Sequence, residues 1–173
     1  MMPVLPEPLE HALRPVFDAL PLDRAMPALV VAKPPDAGLG KVVADAVAKA
    51  AVAAHPDLVA GLWLYVDDLD ASHEVSQNIA SATGSFWHGI MHRREGDFSN
   101  SHYWFRKVGR HPAMSRIDLA GGGAGAGTGV AQYDAHAFID RVEAAHRQPH
   151  PPADLVALQR HEWLALFEWC AQR

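Results

Sequence analysis

His88 and His92 stand four residues apart within "SFWHGIMHRREGDFSNSHYWFRK", residues 85–107. On a helix that spacing puts both imidazoles on one face, one turn apart, where two rings can reach a single metal ion. In the preceding stretch Asp70, His73 and Gln77 are spaced i, i+3, i+7 and share a face of their own helix. A short connection makes two such helices antiparallel neighbours. Counting outward from the 81–85 turn sets Gln77 level with His88, and His73 level with His92. The expected metal set is therefore His73, His88 and His92, with Asp97 or Asp70 as a fourth ligand or outer partner. Zinc, nickel, iron or manganese would suit such donors. Glu95 lies about 10 Å from His88 along the helix axis. It is read as an acid–base group beside His73, with Asp70 as the orienting carboxylate. No glutamate follows His88, so this is not the zinc-protease motif. The alternative is a satisfied polar network in which the histidines only hydrogen-bond to Asp70, Gln77 and Glu95.

Arg93 and Arg94 offer a guanidinium fork for a carboxylate or phosphate, Arg93 being the better placed toward the His88 face. The alternative for both is an ion pair with Glu95 or Asp97 at the surface, worth under about 1 kcal/mol. Gln77, Asn100 and Tyr103 complete the expected ligand-binding set. Phe98, Tyr103, Trp104 and Phe105 interleave with Arg106, Lys107 and Arg110. That pattern makes either a stacking platform for bases or, as helical spacing favours, core aromatics backed by a solvated cationic face. His102 and His111 are expected to cap helices or line the surface. Cys170 sits in an apolar stripe with Trp163, Phe167 and Trp169 and reads as core.

Charge supports a small anionic ligand. Residues 85–116 hold six Lys/Arg against two acids, a local +4 that leaves −9 for the remainder of a chain with net charge −5. A basic island in an acidic protein attracts a small anion, whereas the acidic remainder would repel a long duplex. The N-terminus "MMPVLPEPLEHALRP" lacks a basic start followed by an apolar run, and the apolar stretch "LVAGLWLYV" is too short to span a bilayer. One cysteine allows no internal disulfide. A cytoplasmic protein is expected.

The elements that must position these groups are helical. No alternating Val/Ile/Thr runs mark strands, and 173 residues suit one domain. The periodicity predicts an all-α, single-domain bundle of six or seven helices. "LGKVVADAVAKAAVAA", residues 39–54, reads as one helix. Another is expected over 58–79, carrying the stripe Leu58, Leu62, Val66 and Leu69. A helix over 86–95 should stop at Gly96, and one capped by Asp97 or Ser99 should run to Val108 and stop at Gly109. Asp134 should cap a helix to about Arg147, and a last helix should cover 153–171. The glycine-rich run 121–129 reads as a flexible loop.

The stretches "AGLWLYVDDLDASHEVSQ", 60–77, and "GSFWHGIMHRREGDFSNSHYWFRKVGRHP", 84–112, together resemble a family of small uncharacterised bacterial proteins. Its pattern is a Leu-Asp-x-Ser-His helix followed by Trp-His-x-Ile-x-His-Arg-Arg-Glu-x-Asp. It falls here on Asp70, Ser72, His73, Gln77, Trp87, His88, His92, Arg93, Arg94, Glu95, Asp97, Asn100, Tyr103, Trp104 and His111. The resemblance implies a site and no particular chemistry. The reading of the residues is a pocket between two helices that binds a small anionic molecule and, with a divalent metal, hydrolyses it. The other reading is a non-catalytic interaction module whose polar face is structural.

Overall fold

A computed structural model describes residues 2–117 and 132–173. Among them nine α-helices and one 3-10 helix form an all-α domain, with no strand. In chain order these are α1 (Glu7–Ala19), α2 (Ala37–Val47), α3 (Ala50–Ala53), α4 (Pro56–Tyr65), α5 (Leu69–Ser76), α6 (Ala82–Glu95) and α7 (Phe98–Val108). The 3-10 turn (Pro112–Arg116), α8 (Ala135–Ala145) and α9 (Ala153–Ala171) follow. The all-α expectation holds. The count exceeds six or seven because two expected helices are each divided. The glycine-rich run 121–129 lies outside the described residues.

The first division falls at Lys49, whose extended backbone (φ −72°, ψ 134°) separates α2 from α3. The second falls inside "YVDDLD". Asp67 adopts φ +63°, and the Asp68 side chain accepts from the Ala71 amide at 3.1 Å to start α5. An apolar stripe runs through both breaks, so periodicity alone read straight across them. At the second break the side chains explain the interruption: aspartate is among the few residues that tolerate the left-handed region, and also a preferred N-cap.

Other boundaries follow their caps. Asp97 accepts from Asn100 N to open α7, and Asp134 accepts from the His136 and Ala137 amides to open α8. Gly96 at φ +91° closes α6 in the left-handed conformation that favours glycine. α6 begins at Ser81, whose hydroxyl accepts from Gly84 N, so the expected turn at 81–85 is already the first turn of the helix.

The core gathers around α4, α6 and α9. Trp163 stacks on Phe167 (4.5 Å, 16°), lies 4.6 Å from Tyr65, and donates from its indole to the Gly61 carbonyl at 2.8 Å. Cys170 is buried, as its stripe predicts. No described helix is long and apolar enough to cross a membrane.

Candidate metal centre

α6 is the helix that builds the site. Every residue from Thr83 to Arg94 is buried, although the segment includes two histidines, two arginines, a serine and a threonine. A polar helix inside a core folds only if its side chains find partners, since an unpaired buried polar group costs about 1–3 kcal/mol. Gly89 lets a neighbour come close enough. A Cβ on Gly89 would lie 2.8 Å from the Phe105 ring, and the Ser101 hydroxyl donates to the Gly89 carbonyl at 2.7 Å. α7 thus packs directly on the histidine-bearing turn. On the other side α5 is held to α4 by Ser72, whose hydroxyl donates to the Ala60 carbonyl at 3.0 Å.

This packing brings His73, His88 and His92 together. One ring nitrogen from each lies within 4.8 Å of the others, a group able to hold a metal ion. Ring centroids are 4.6 Å apart for His73–His88, 4.8 Å for His88–His92 and 5.6 Å for His73–His92. His88 and His92 are 3% and 8% exposed, while His73 is half-buried and gives the cluster its opening to solvent. Shifts of under about 1 Å in each ring would bring the nitrogens to the 2.0–2.1 Å typical of zinc.

Hydrogen bonds engage one nitrogen on each of two of the rings. The Ser76 hydroxyl donates to the His73 carbonyl at 3.4 Å, and its oxygen lies 3.3 Å from His88 Nδ1. With the proton of His88 on Nδ1, that oxygen accepts from Nδ1–H and Nε2 keeps a lone pair. Glu95 Oε2 lies 3.0 Å from His92 Nδ1 and accepts from it when that nitrogen carries a proton. Serine and carboxylate partners on the far nitrogen are the arrangement that orients metal-ligating histidines. Trp104 stacks on the His88 ring at 4.1 Å and 30° and sets its plane. Burial, then the nearby His92 and His73, then Lys107, lower His88 from 6.5 to about 4, so the ring is neutral at pH 7.

The expected orienter is displaced. Asp70 and Gln77 are exposed, and Asp70 forms no hydrogen bond or ion pair with described residues. The residues of α5 that meet α6 are His73 and Ser76 instead. Because α6 starts at Ala82, the register shifts and Ser76 rather than Gln77 meets His88. Ser76 was missed, although it stands one turn after His73. Asp97 joins His92 and Glu95 in a second group that could hold an ion, but its two oxygens already accept from Asn100 N and Nδ2, at 3.0 and 2.8 Å. The backbone bond from Asn100 first, then its side chain, hold that carboxyl below the usual aspartate range despite some burial. Asn100 is thereby a capping partner, and Tyr103 is exposed at 46%.

The arginine clamp is not formed. Arg93 and Arg94 are both 0% exposed and beyond reach of a ligand. Arg93 donates from Nη1 to Glu162 Oε1 at 2.9 Å and from Nη2 to Oε2, while the Tyr133 hydroxyl donates to the same carboxylate. Burial opposes the charge on Arg93, but Glu162 outweighs it and raises the guanidinium above its ordinary value. Arg94 donates to the carbonyls of Leu64 (3.0 Å) and Ala28 (3.3 Å) and pairs with Asp67 at 2.7 Å. Nor do these arginines pair with Glu95 or Asp97 at the surface.

The remaining histidines have other duties. His111 is buried: its Nδ1 accepts from Ala113 N at 3.2 Å, and its Nε2 lies 3.2 Å from the Thr83 hydroxyl. Burial, then Arg173, lower it to about 4. His102 bridges helices at the surface, with Nδ1 2.7 Å from His136 Nδ1 and Nε2 3.1 Å from Asp140. Clefts of about 430 and 470 Å³ open elsewhere, the first around Met26, Val31 and Tyr65, the second around Arg110, Met114 and His136. Neither is lined by His73, His88 or His92. We place the site at the histidines because the donors converge there.

No protein-family model, curated protein or solved structure matches this chain. The functional reading therefore rests on the geometry.

Proposed function

We propose that the protein binds one divalent metal ion on His73, His88 and His92 and uses it to hydrolyse a small anionic molecule. The observation that carries this reading is the pairing of two adjacent imidazoles by their far nitrogens, to Ser76 and to Glu95, with a third imidazole beside them. One nitrogen from each of the three rings lies close to the others, so that lone pairs on them would share one volume. A cation relieves that clustering. Three protein ligands with a further coordination position open are the arrangement that activates water in hydrolytic sites. His73, on the solvent side, marks where a substrate would enter. Glu95, exposed and hydrogen-bonded to His92, is placed to accept a proton. All three histidines also belong to the pattern that resembles the bacterial family.

The test is metal analysis of protein prepared without a histidine tag. One equivalent of zinc, nickel, iron or manganese is expected per chain, and its loss in His92→Ala. A chain that takes up no metal even when it is supplied would leave the cluster as a structural network and favour the interaction-module reading.

A further inference from the structure

The basic island implied an anion, yet the two arginines assigned to it are sealed in the core. A different cation borders the histidines. Lys107 lies one turn along α7 from Trp104, and its ammonium stands 4.3 Å from the centre of the Trp104 ring. That ring in turn stacks on His88 at 4.1 Å. The lysine is exposed and forms no ion pair with described residues; its only partners there are the Trp104 and Tyr103 rings, the latter at 5.4 Å.

We propose that Lys107 is the anion-binding residue of the histidine site, and that the ligand is a small oxyanion, a carboxylate or phosphate group, set between the metal ion and this ammonium. The proposal rests on the three-histidine metal reading. Two positive centres on one side of a chain with net charge −5 discriminate by charge. A neutral ligand gains from the metal alone, whereas an oxyanion has several oxygens and can engage both. The Trp104 indole, which touches both His88 and Lys107, is a rigid anchor that keeps the ammonium near the site by the attraction of a cation to the ring. A lysine acts here as a point charge and needs no bidentate geometry.

The experiment is calorimetric titration of inorganic phosphate into the zinc-loaded full chain, with zinc content measured in every sample. The wild type is compared with Lys107→Met and Lys107→Arg. The expected result is one zinc in all three, phosphate affinity about tenfold or more weaker in Lys107→Met, and recovery in Lys107→Arg. Full zinc with unchanged phosphate affinity in Lys107→Met would overturn the assignment of Lys107 while leaving the metal site intact. A wild type that holds no zinc would overturn the metal reading, and this proposal with it.

Discussion

Two pairs of polar side chains lie on the same buried helix and are treated in opposite ways. Arg93 and Arg94 are wholly enclosed, and their terminal nitrogens meet carboxylates and carbonyls from other parts of the chain. His88 and His92, just before them on the helix, are matched on one nitrogen each. The arginines spend their donors on holding helices together. The histidines engage one ring nitrogen each, and their cluster reaches solvent at the half-buried His73. Burial of charge or polarity alone did not separate these cases; the origin of the partners did: each guanidinium leaves its Nε without a hydrogen bond but is held by its terminal nitrogens to distant segments, whereas the imidazoles are held by their own helix or the one facing it.

The largest effect should come from breaking the enclosed pair. Glu162→Ala leaves Arg93 buried and uncompensated, which should cost about 3–5 kcal/mol in denaturant unfolding. A loss under about 1 kcal/mol would mean that the arginine is not structurally committed, and the contrast would collapse. The histidine side should respond to metal instead. Zinc at a hundred times its dissociation constant should stabilise the wild type by about 2.7 kcal/mol. His92→Ala should abolish that gain, whereas Arg106→Ala, on the exposed face of α7, should keep it.

Acid provides a third comparison. The folded state holds His88 and His111 at about 4, whereas the unfolded chain titrates them near 6.5. Between those values the unfolded state binds more protons, so stability rises with pH across the window. It is fully present above 6.5 and is lost as pH falls toward 4. A slope on the order of 1 kcal/mol per pH unit is expected from urea midpoints, and His111→Gln should reduce it. A flat profile between pH 4 and 6.5 would contradict the neutral, buried state assigned to both rings. The smallest effect belongs to Ser76→Ala, with a stability change of about 0.5–1.5 kcal/mol. Its zinc affinity should nonetheless fall about 10–100-fold, because the serine fixes the tautomer of a ligand. Unchanged zinc affinity would show that His88 needs no such partner.

What could be read from the sequence divides along the same line. Local rules worked: Asp97, Gly96 and Asp134 mark helix ends because capping acts within a few residues. The i, i+4 spacing of His88 and His92, and a neighbouring helix carrying His73, located the cluster. Contacts set by distant parts of the chain were not legible. Arg93 finds Glu162 at a separation of 69 residues, and nothing near the arginines announces it. A faint signal existed at the other end, where Glu162 interrupts the stripe of Leu155, Leu158 and Leu166, a position at which an acid requires a partner. The break at Asp67 was hidden by the stripe that runs across it. That break shortened the histidine helix, and with the earlier start of α6 it set Ser76, rather than Gln77, against His88.

The most direct measurement is X-ray absorption at the metal edge of the zinc-loaded, untagged protein. The geometry predicts three imidazole nitrogens at about 2.0–2.1 Å, completed by a light oxygen donor, with imidazole scattering reduced in His88→Ala. A shell of oxygen donors without imidazole, or a spectrum unchanged in His88→Ala, would place any bound metal elsewhere and contradict the three-histidine centre.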